Sequence, residues 1–160
     1  MSNKTPAESA KKTKSARRFI FPVVCFVVLF GSIVGMYSMQ RPPERPERVR
    51  IGETTLRITD VFTTPEMRQQ GLSGRQTLAA DEAVLFVFDE PTGQCFWMKD
   101  MNFAIDMVWL DARREVVHVV TAAEPESYPG TFCPGSEARY VLETAAGKSG
   151  ASVGQRAVLQ

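Results

Sequence analysis

The sequence predicts a mainly β (α+β) protein: a compact, barrel-like, mostly antiparallel sheet with one short helix, preceded by a transmembrane helix. Three observations lead there. Residues 19–40 carry no charge, which is the length of helix that crosses a bilayer core of roughly 30 Å. After residue 48, short apolar or alternating runs recur between clusters of Pro, Gly and acidic residues, a strand-and-turn pattern. Within that part only one segment, beginning Thr64-Pro65-Glu66, carries the signature of a helix start.

Taken in order, residues 1–18 form a basic tail, with Lys4, Lys11, Lys12, Lys14, Arg17 and Arg18 just before the apolar run. Residues 19–40 (FIFPVVCFVVLFGSIVGMYSMQ) are the expected membrane span. The basic excess ahead of it favours a cytoplasmic N-terminus and a C-terminal domain outside the cell membrane, periplasmic or extracellular. The alternative is secretion after cleavage. The run is longer than a signal-peptide core, however, and Met36-Tyr37-Ser38-Met39 offers no small-residue cleavage pattern. Residues 41–48, with Pro42, Pro43 and Pro46, read as an extended stalk. Residues 49–160 remain as the extracytoplasmic β-rich domain.

Inside the domain, residues 56–62 (LRITDVF) alternate in part and predict a strand. Thr64 caps the short helix, Pro65 starts it and Gly71 ends it. Residues 83–88 (AVLFVF) predict a central strand, and residues 94–101 another after the Pro91-Thr92-Gly93 turn. Residues 104–110 and 115–121 predict a hairpin through Asp111-Ala112-Arg113-Arg114. Residues 124–135 read as a Pro/Gly-rich loop, residues 138–145 as a strand and residues 155–159 as a last short one.

Charge divides sharply along the chain. Through Arg48 there are 9 Lys/Arg against 3 Asp/Glu, and from Val49 onward 10 against 15, so +6 and −5 sum to the formal +1. An acidic domain without a basic cluster is a poor partner for a phosphate backbone, and no nucleic-acid binding is expected.

Of three cysteines, Cys25 lies within the apolar run. Cys95 and Cys133 are then the only exported thiols, and an oxidising compartment favours a disulfide between them. His118 is the single histidine, so no usual zinc set can be assembled, and neither metal nor cofactor is expected. A G-x-S-x-G elbow and phosphate-binding glycine loops are also missing from the sequence. The residues that invite a chemical reading are Trp97, Lys99, Asp106, Tyr140 and Glu143. Asp106 stands in an apolar run and needs a cation or several donors, for which Lys99, Arg68 and Arg75 are the candidates.

Five motifs occur in order: Thr64-Pro65-Glu66-Met67-Arg68-Gln69-Gln70-Gly71-Leu72; Leu85-Phe86-Val87-Phe88; Phe96-Trp97-Met98-Lys99-Asp100-Met101; Ile105-Asp106-Met107; and Ala138-Arg139-Tyr140-Val141-Leu142-Glu143. In this the chain resembles the domain-of-unknown-function 192 family, small proteins often exported or membrane-anchored. The resemblance implies a compact β-barrel-like fold with a short helix and brings no established activity. Asp100 stands where the family usually has Asn, and residues 147–154 are shorter than the corresponding turn in other members.

The leading functional expectation is a membrane-tethered, extracytoplasmic binding or interaction module, non-enzymatic, for a cell-envelope ligand or protein partner. The alternative is a cell-envelope polymer hydrolase using Asp106 and Glu143 as paired carboxylates, which requires both on one cleft. A purely structural accessory subunit would instead present a broad apolar patch.

Overall fold

The computed structural model describes residues 45–160. The basic tail, the expected membrane span and residues 41–44 of the stalk lie outside the described residues. Among those described, no helix is long and apolar enough to cross a membrane.

Among the described residues, nine strands and one α-helix follow in the order β1 (Arg48–Ile51), β2 (Thr54–Phe62), α1 (Pro65–Gln70), β3 (Glu82–Thr92), β4 (Phe96–Trp97), β5 (Ile105–Leu110), β6 (Val116–Ala123), β7 (Thr131–Phe132), β8 (Ala138–Ala145) and β9 (Ala157–Leu159). Seven strands form one sheet, ordered β6-β5-β8-β3-β2-β1-β9, and β4 pairs with β7 in a separate ribbon. Every pairing is antiparallel except β2 with β3, which α1 connects.

The large sheet curls into a half-barrel whose edges meet at one end. Glu115 bridges to Arg156, and Val116 N–H donates to Gln155 O at 2.8 Å while Ala157 N–H donates to Arg114 O at 2.8 Å. Curling gives the sheet two buried faces. Val49, Ile51, Leu56, Ala83, Leu85, Val108, Leu110, Val116, Leu142 and Ala157 fill the inner one. On the outer face Val84, Phe86, Phe88, Met107, Trp109 and Val141 pack under Leu72 and Leu78 from the segment after α1, and under Phe96 and Phe132 from the ribbon. Burial on both faces explains why β5 (IDMVWL) reads as a continuous apolar run rather than an alternating one. A chain of edge-on rings crosses the outer core: Phe62 to Phe86, Phe86 to Phe96, Phe96 to Trp109 and Trp109 to His118, with centroids 4.9–5.8 Å apart.

The helix follows its sequence signals. Thr64 Oγ1 accepts from Met67 N–H at 3.3 Å, Pro65 occupies the first turn, and Gly71 N–H closes the end on Met67 O at 2.9 Å. Gly71 has a φ of +48°, and a Cβ there would meet Phe86 Cζ at 3.3 Å. Glycine thus allows both the turn and the close seating of α1 over the outer core.

Three expectations need correction. Arg48 belongs to β1 rather than the stalk: Arg48 and Arg50 point outward while Val49 and Ile51 are buried, and the strand pairs with both β2 and β9. The strand expected over residues 94–101 contracts to Phe96–Trp97. Beyond Trp97 the chain turns to bury Met98, and Asp100 takes a left-handed φ of 56°, a conformation that Asn and Asp tolerate better than most residues. Finally, the barrel is partial, with contact between its edge strands at one end.

Candidate functional site

The outer face carries a cleft of about 720 Å³ between α1 with its following segment on one side and the β4–β7 ribbon on the other. Phe86, Phe88, Leu72, Phe96, Trp97 and Met101 supply its apolar walls. Arg68, Gln69, Gln70, Ser73, Gln94 and Thr131 supply polar groups, and Asp89 and Glu90 stand at its exposed margin.

Local irregularity builds that margin. Val87 pairs with Tyr140, but the next β3 residue paired with β8 is Thr92, opposite Ala138, so β3 carries a bulge through Asp89-Glu90-Pro91. Bulges re-aim side chains next to sites, and this one turns two carboxylates to the cleft. On the opposite side the ribbon is fastened by the expected disulfide between Cys95 and Cys133. The bond closes a sequence separation of 38 residues and holds Trp97 at the rim. Trp97 is 47% exposed and meets the 45% exposed Tyr128 edge-on, with centroids 6.4 Å apart.

Glu143 reaches the same cleft from β8. It is only 4% exposed, and among the described residues no ion pair reaches its carboxyl. Burial pushes its pKa up to about 8, against a weaker opposing attraction from Arg75. Arg75 is already committed to Asp60, its Nη2 donating to Asp60 Oδ2 at 2.7 Å, and it holds that carboxyl below its ordinary range. Burial thus favours the protonated form of Glu143, which shares the cleft with Phe86, Phe88, Phe96 and Met101.

Asp106 has the opposite circumstances. In the β5–β8 register Met107 faces Glu143, whereas Asp106 faces Thr144. The two acids thus project from opposite faces of the sheet, and they cannot flank one glycosidic bond. Nor does a cation hold Asp106. Ala122 N–H and Gly147 N–H donate to Oδ1 at 2.9 Å each, and Ser149 N–H donates to Oδ2 at 3.1 Å. Burial acts to raise its pKa, but these donors outweigh it and hold the carboxyl below its ordinary range. Asp106 is a structural clasp between the β6 bulge and the turn after β8.

The other expected residues divide in the same way. Arg68 lines the cleft, yet its Nη1 donates to Thr63 O and to Val87 O, and its guanidinium lies 4.9 Å over the Phe88 ring. Lys99 is exposed beside a smaller depression of about 280 Å³ that shares Trp97 and Gln70 with the main cleft. Tyr140 packs on the inner face, away from the cleft. Trp97, Arg68 and Glu143 are brought together; Lys99 and Arg75 stand nearby, and Asp106 and Tyr140 belong elsewhere. Sequence reasoning missed Phe88, Asp89, Glu90 and Phe96. The break of an apolar run by Asp-Glu-Pro was the available signal for the bulge. Among the described residues no cluster of His, Cys, Asp and Glu could hold a metal ion.

Fold and site together define a half-barrel β domain with an aromatic cleft over a buried acid. The chain belongs to the domain-of-unknown-function 192 (DUF192) family, described as "Uncharacterized ACR", over residues 48–157. Among solved structures it is similar to a Sinorhizobium meliloti 1021 protein described as "a putative transcription regulator". That match has 30% identity and a TM-score of 0.65, covering 72% of this chain and 94% of the other. It is also similar in fold to a protein of unknown function from Novosphingobium aromaticivorans DSM 12444. Here identity is 18% and the TM-score 0.62, covering 74% of this chain and 89% of the other. No functionally curated protein matches the chain.

Proposed function

We propose that this protein is a membrane-tethered, extracytoplasmic binding module whose ligand site is the cleft above Glu143. One observation carries the reading: a cleft of ligand size, walled by aromatic side chains, contains a buried acid that no ion pair reaches among the described residues. Small-molecule sites have this make-up, mostly apolar walls with a few placed polar groups. An unpartnered buried carboxyl costs stability, and a ligand that satisfies it would return that cost on binding. Two features of the chain support the tether and the compartment: the uncharged run over residues 19–40 behind a basic tail, and the Cys95–Cys133 disulfide. The regulator description of the Sinorhizobium relative does not suit a domain whose charge from residue 49 onward is −5 (10 Lys/Arg against 15 Asp/Glu).

A ligand-observed NMR screen of small aromatic fragments, envelope glycans and peptides against the full-length chain tests the reading. Binders are expected to shift Trp97 fluorescence, and Trp97→Ala is expected to weaken them by about tenfold while changing stability by less than about 0.5 kcal/mol. If binders leave Trp97 and Glu143 undisturbed, the site is wrong. The tether is tested by membrane fractionation with protease added outside. Only the part after residue 48 should be digested, and a soluble mature chain beginning beyond Tyr37 would refute the anchor.

A further inference from the structure

The proposed ligand site leaves the chemical class of its ligand open, and the charges around it narrow that class. Groups that carry charge face the cleft from three elements: Arg68 on α1, Asp89 and Glu90 on β3, and Glu143 on β8. Arg75, whose charge acts on Glu143, is bonded to Asp60 on β2. Arg68 is likewise occupied by two carbonyls and the Phe88 ring. The cleft therefore offers three carboxyl groups, two at the margin and one at depth, and no uncommitted cation among its described lining residues. Aromatic faces add negative quadrupole potential to the same space.

Resting on the cleft-binding reading, we infer that the site takes a small organic ammonium compound: an apolar, ring-sized body lying against Trp97 and Phe96, with its charged nitrogen directed to Glu143. Asp89 and Glu90 draw the cation in, the aromatic walls take the body, and the buried carboxyl provides the anion that fixes the nitrogen. An anionic ligand would have to approach two rim carboxylates and displace Arg68 from its carbonyls. A neutral hydroxyl could bond Glu143 in its protonated form but would gain nothing from the rim.

Binding then moves one proton. The buried acid Glu143–COOH and R–NH3⁺ give Glu143–COO⁻ paired with R–NH3⁺, and the released proton goes to the buffer. The ligand keeps its charge throughout, and no bond other than the acid's O–H is broken.

The probes are 2-phenylethylamine, its near-isosteric alcohol 2-phenylethanol, and phenylacetate. Each is titrated calorimetrically into the full-length chain in nanodiscs, with empty nanodiscs as blank, in two buffers of different ionisation enthalpy. The expected result is amine binding at least about tenfold tighter than the alcohol, no phenylacetate binding, and release of about one proton at pH 7 with the pKa of Glu143 at about 8. Glu143→Gln should abolish the proton release and shrink the amine's advantage over the alcohol to the small share supplied by Asp89 and Glu90. Equal amine and alcohol affinity in the unaltered chain, or tighter phenylacetate binding, overturns the ammonium inference but leaves a binding cleft. No binding by any of the three overturns the inference, while the wider fragment screen decides the fate of the cleft reading separately. Should Glu143→Gln fail to fold, proton release by the unaltered chain decides, and amine binding without it overturns the inference.

Discussion

Neutralising Glu143 should make the domain more stable, and increasingly so as pH rises. An acid whose pKa goes from the ordinary 4.5 in the unfolded chain to about 8 in the fold binds an extra proton in the folded state between those values. Stability then falls with rising pH across that window, by about 1.4 kcal/mol per unit. The sign is fixed by the direction of the shift. Its contribution is fully present below pH 4.5, declines through neutral pH, and is lost once pH exceeds about 8. The accumulated cost is about 3 kcal/mol at pH 7 and about 5 kcal/mol above pH 8, as orders of magnitude. Glu143→Gln replaces the acid with a neutral group of nearly the same shape and removes that dependence. Near pH 4.5 the two proteins should unfold at similar urea concentrations. At pH 7 the variant's midpoint should lie higher by about 1.5 M, taking a slope of about 2 kcal/mol per M. Urea melts of both proteins, followed by Trp109 fluorescence at pH 4.5, 6, 7 and 8.5, provide the measurement. Parallel stability curves, or a variant weaker than the parent at pH 8.5, would refute the argument, because either requires that Glu143 is solvated or paired.

Asp106→Asn should destabilise the domain by about 2–4 kcal/mol at pH 7, since an amide NH2 must face at least one of three inward backbone donors; thermal or urea melts check this. Because the folded-state pKa of Asp106 is depressed, its contribution is present above the ordinary 3.8 and lost as pH falls below it, so the two proteins should converge in acid. Gly71→Ala should cost about 1–3 kcal/mol through its positive φ and the Phe86 contact, and a variant as stable as the parent would remove the conformational argument. Removing the disulfide by Cys95→Ser with Cys133→Ser should cost about 2–4 kcal/mol and weaken cleft ligands more than Asp106→Asn does, measured in the same titrations.

Much of this fold was legible because its local signals agree with its tertiary context. Thr64, Pro65 and Gly71 set the limits of α1 by cap chemistry alone, and β8 occupies residues 138–145 as its run of apolar and small residues suggested. β1 was not legible, since a four-residue strand with two arginines is stabilised by partners distant in sequence, β2 and β9. The strand after Gly93 was overread because alternation within Cys95–Met101 cannot reveal that Met98 turns into the core. The site was half legible. Trp97 and Glu143 were recognisable as an exposed-type aromatic and an acid in an apolar run. Their partnership with Asp106 was misjudged because the face of each acid depends on inter-strand register. A shift of one residue exchanges the two faces of a strand, and the register that places Met107 opposite Glu143 is a property of the sheet, not of either segment.

The two buried acids differ in what surrounds them. Both lie in strands packed on two faces, within one residue of each other across the β5–β8 ladder, and both are almost wholly removed from solvent. Burial acts on each in the same direction. Their opposite pKa shifts trace to the three backbone donors at Asp106 and to the heavier desolvation of Glu143, which has none. The inner face provides three backbone donors to Asp106, an arrangement that depends on a bulge at Ala122 with a φ of +49° and a turn at Gly147 with a φ of +71°. The outer face provides none to Glu143, although α1, its following segment and the ribbon all pack nearby. A fold that builds backbone donors around one acid and leaves the other facing a cleft distinguishes a clasp from a site. Natural proteins retain such uncompensated groups mainly where function requires them, and on that ground we assign the proposed ligand chemistry to the cleft, not to the clasp.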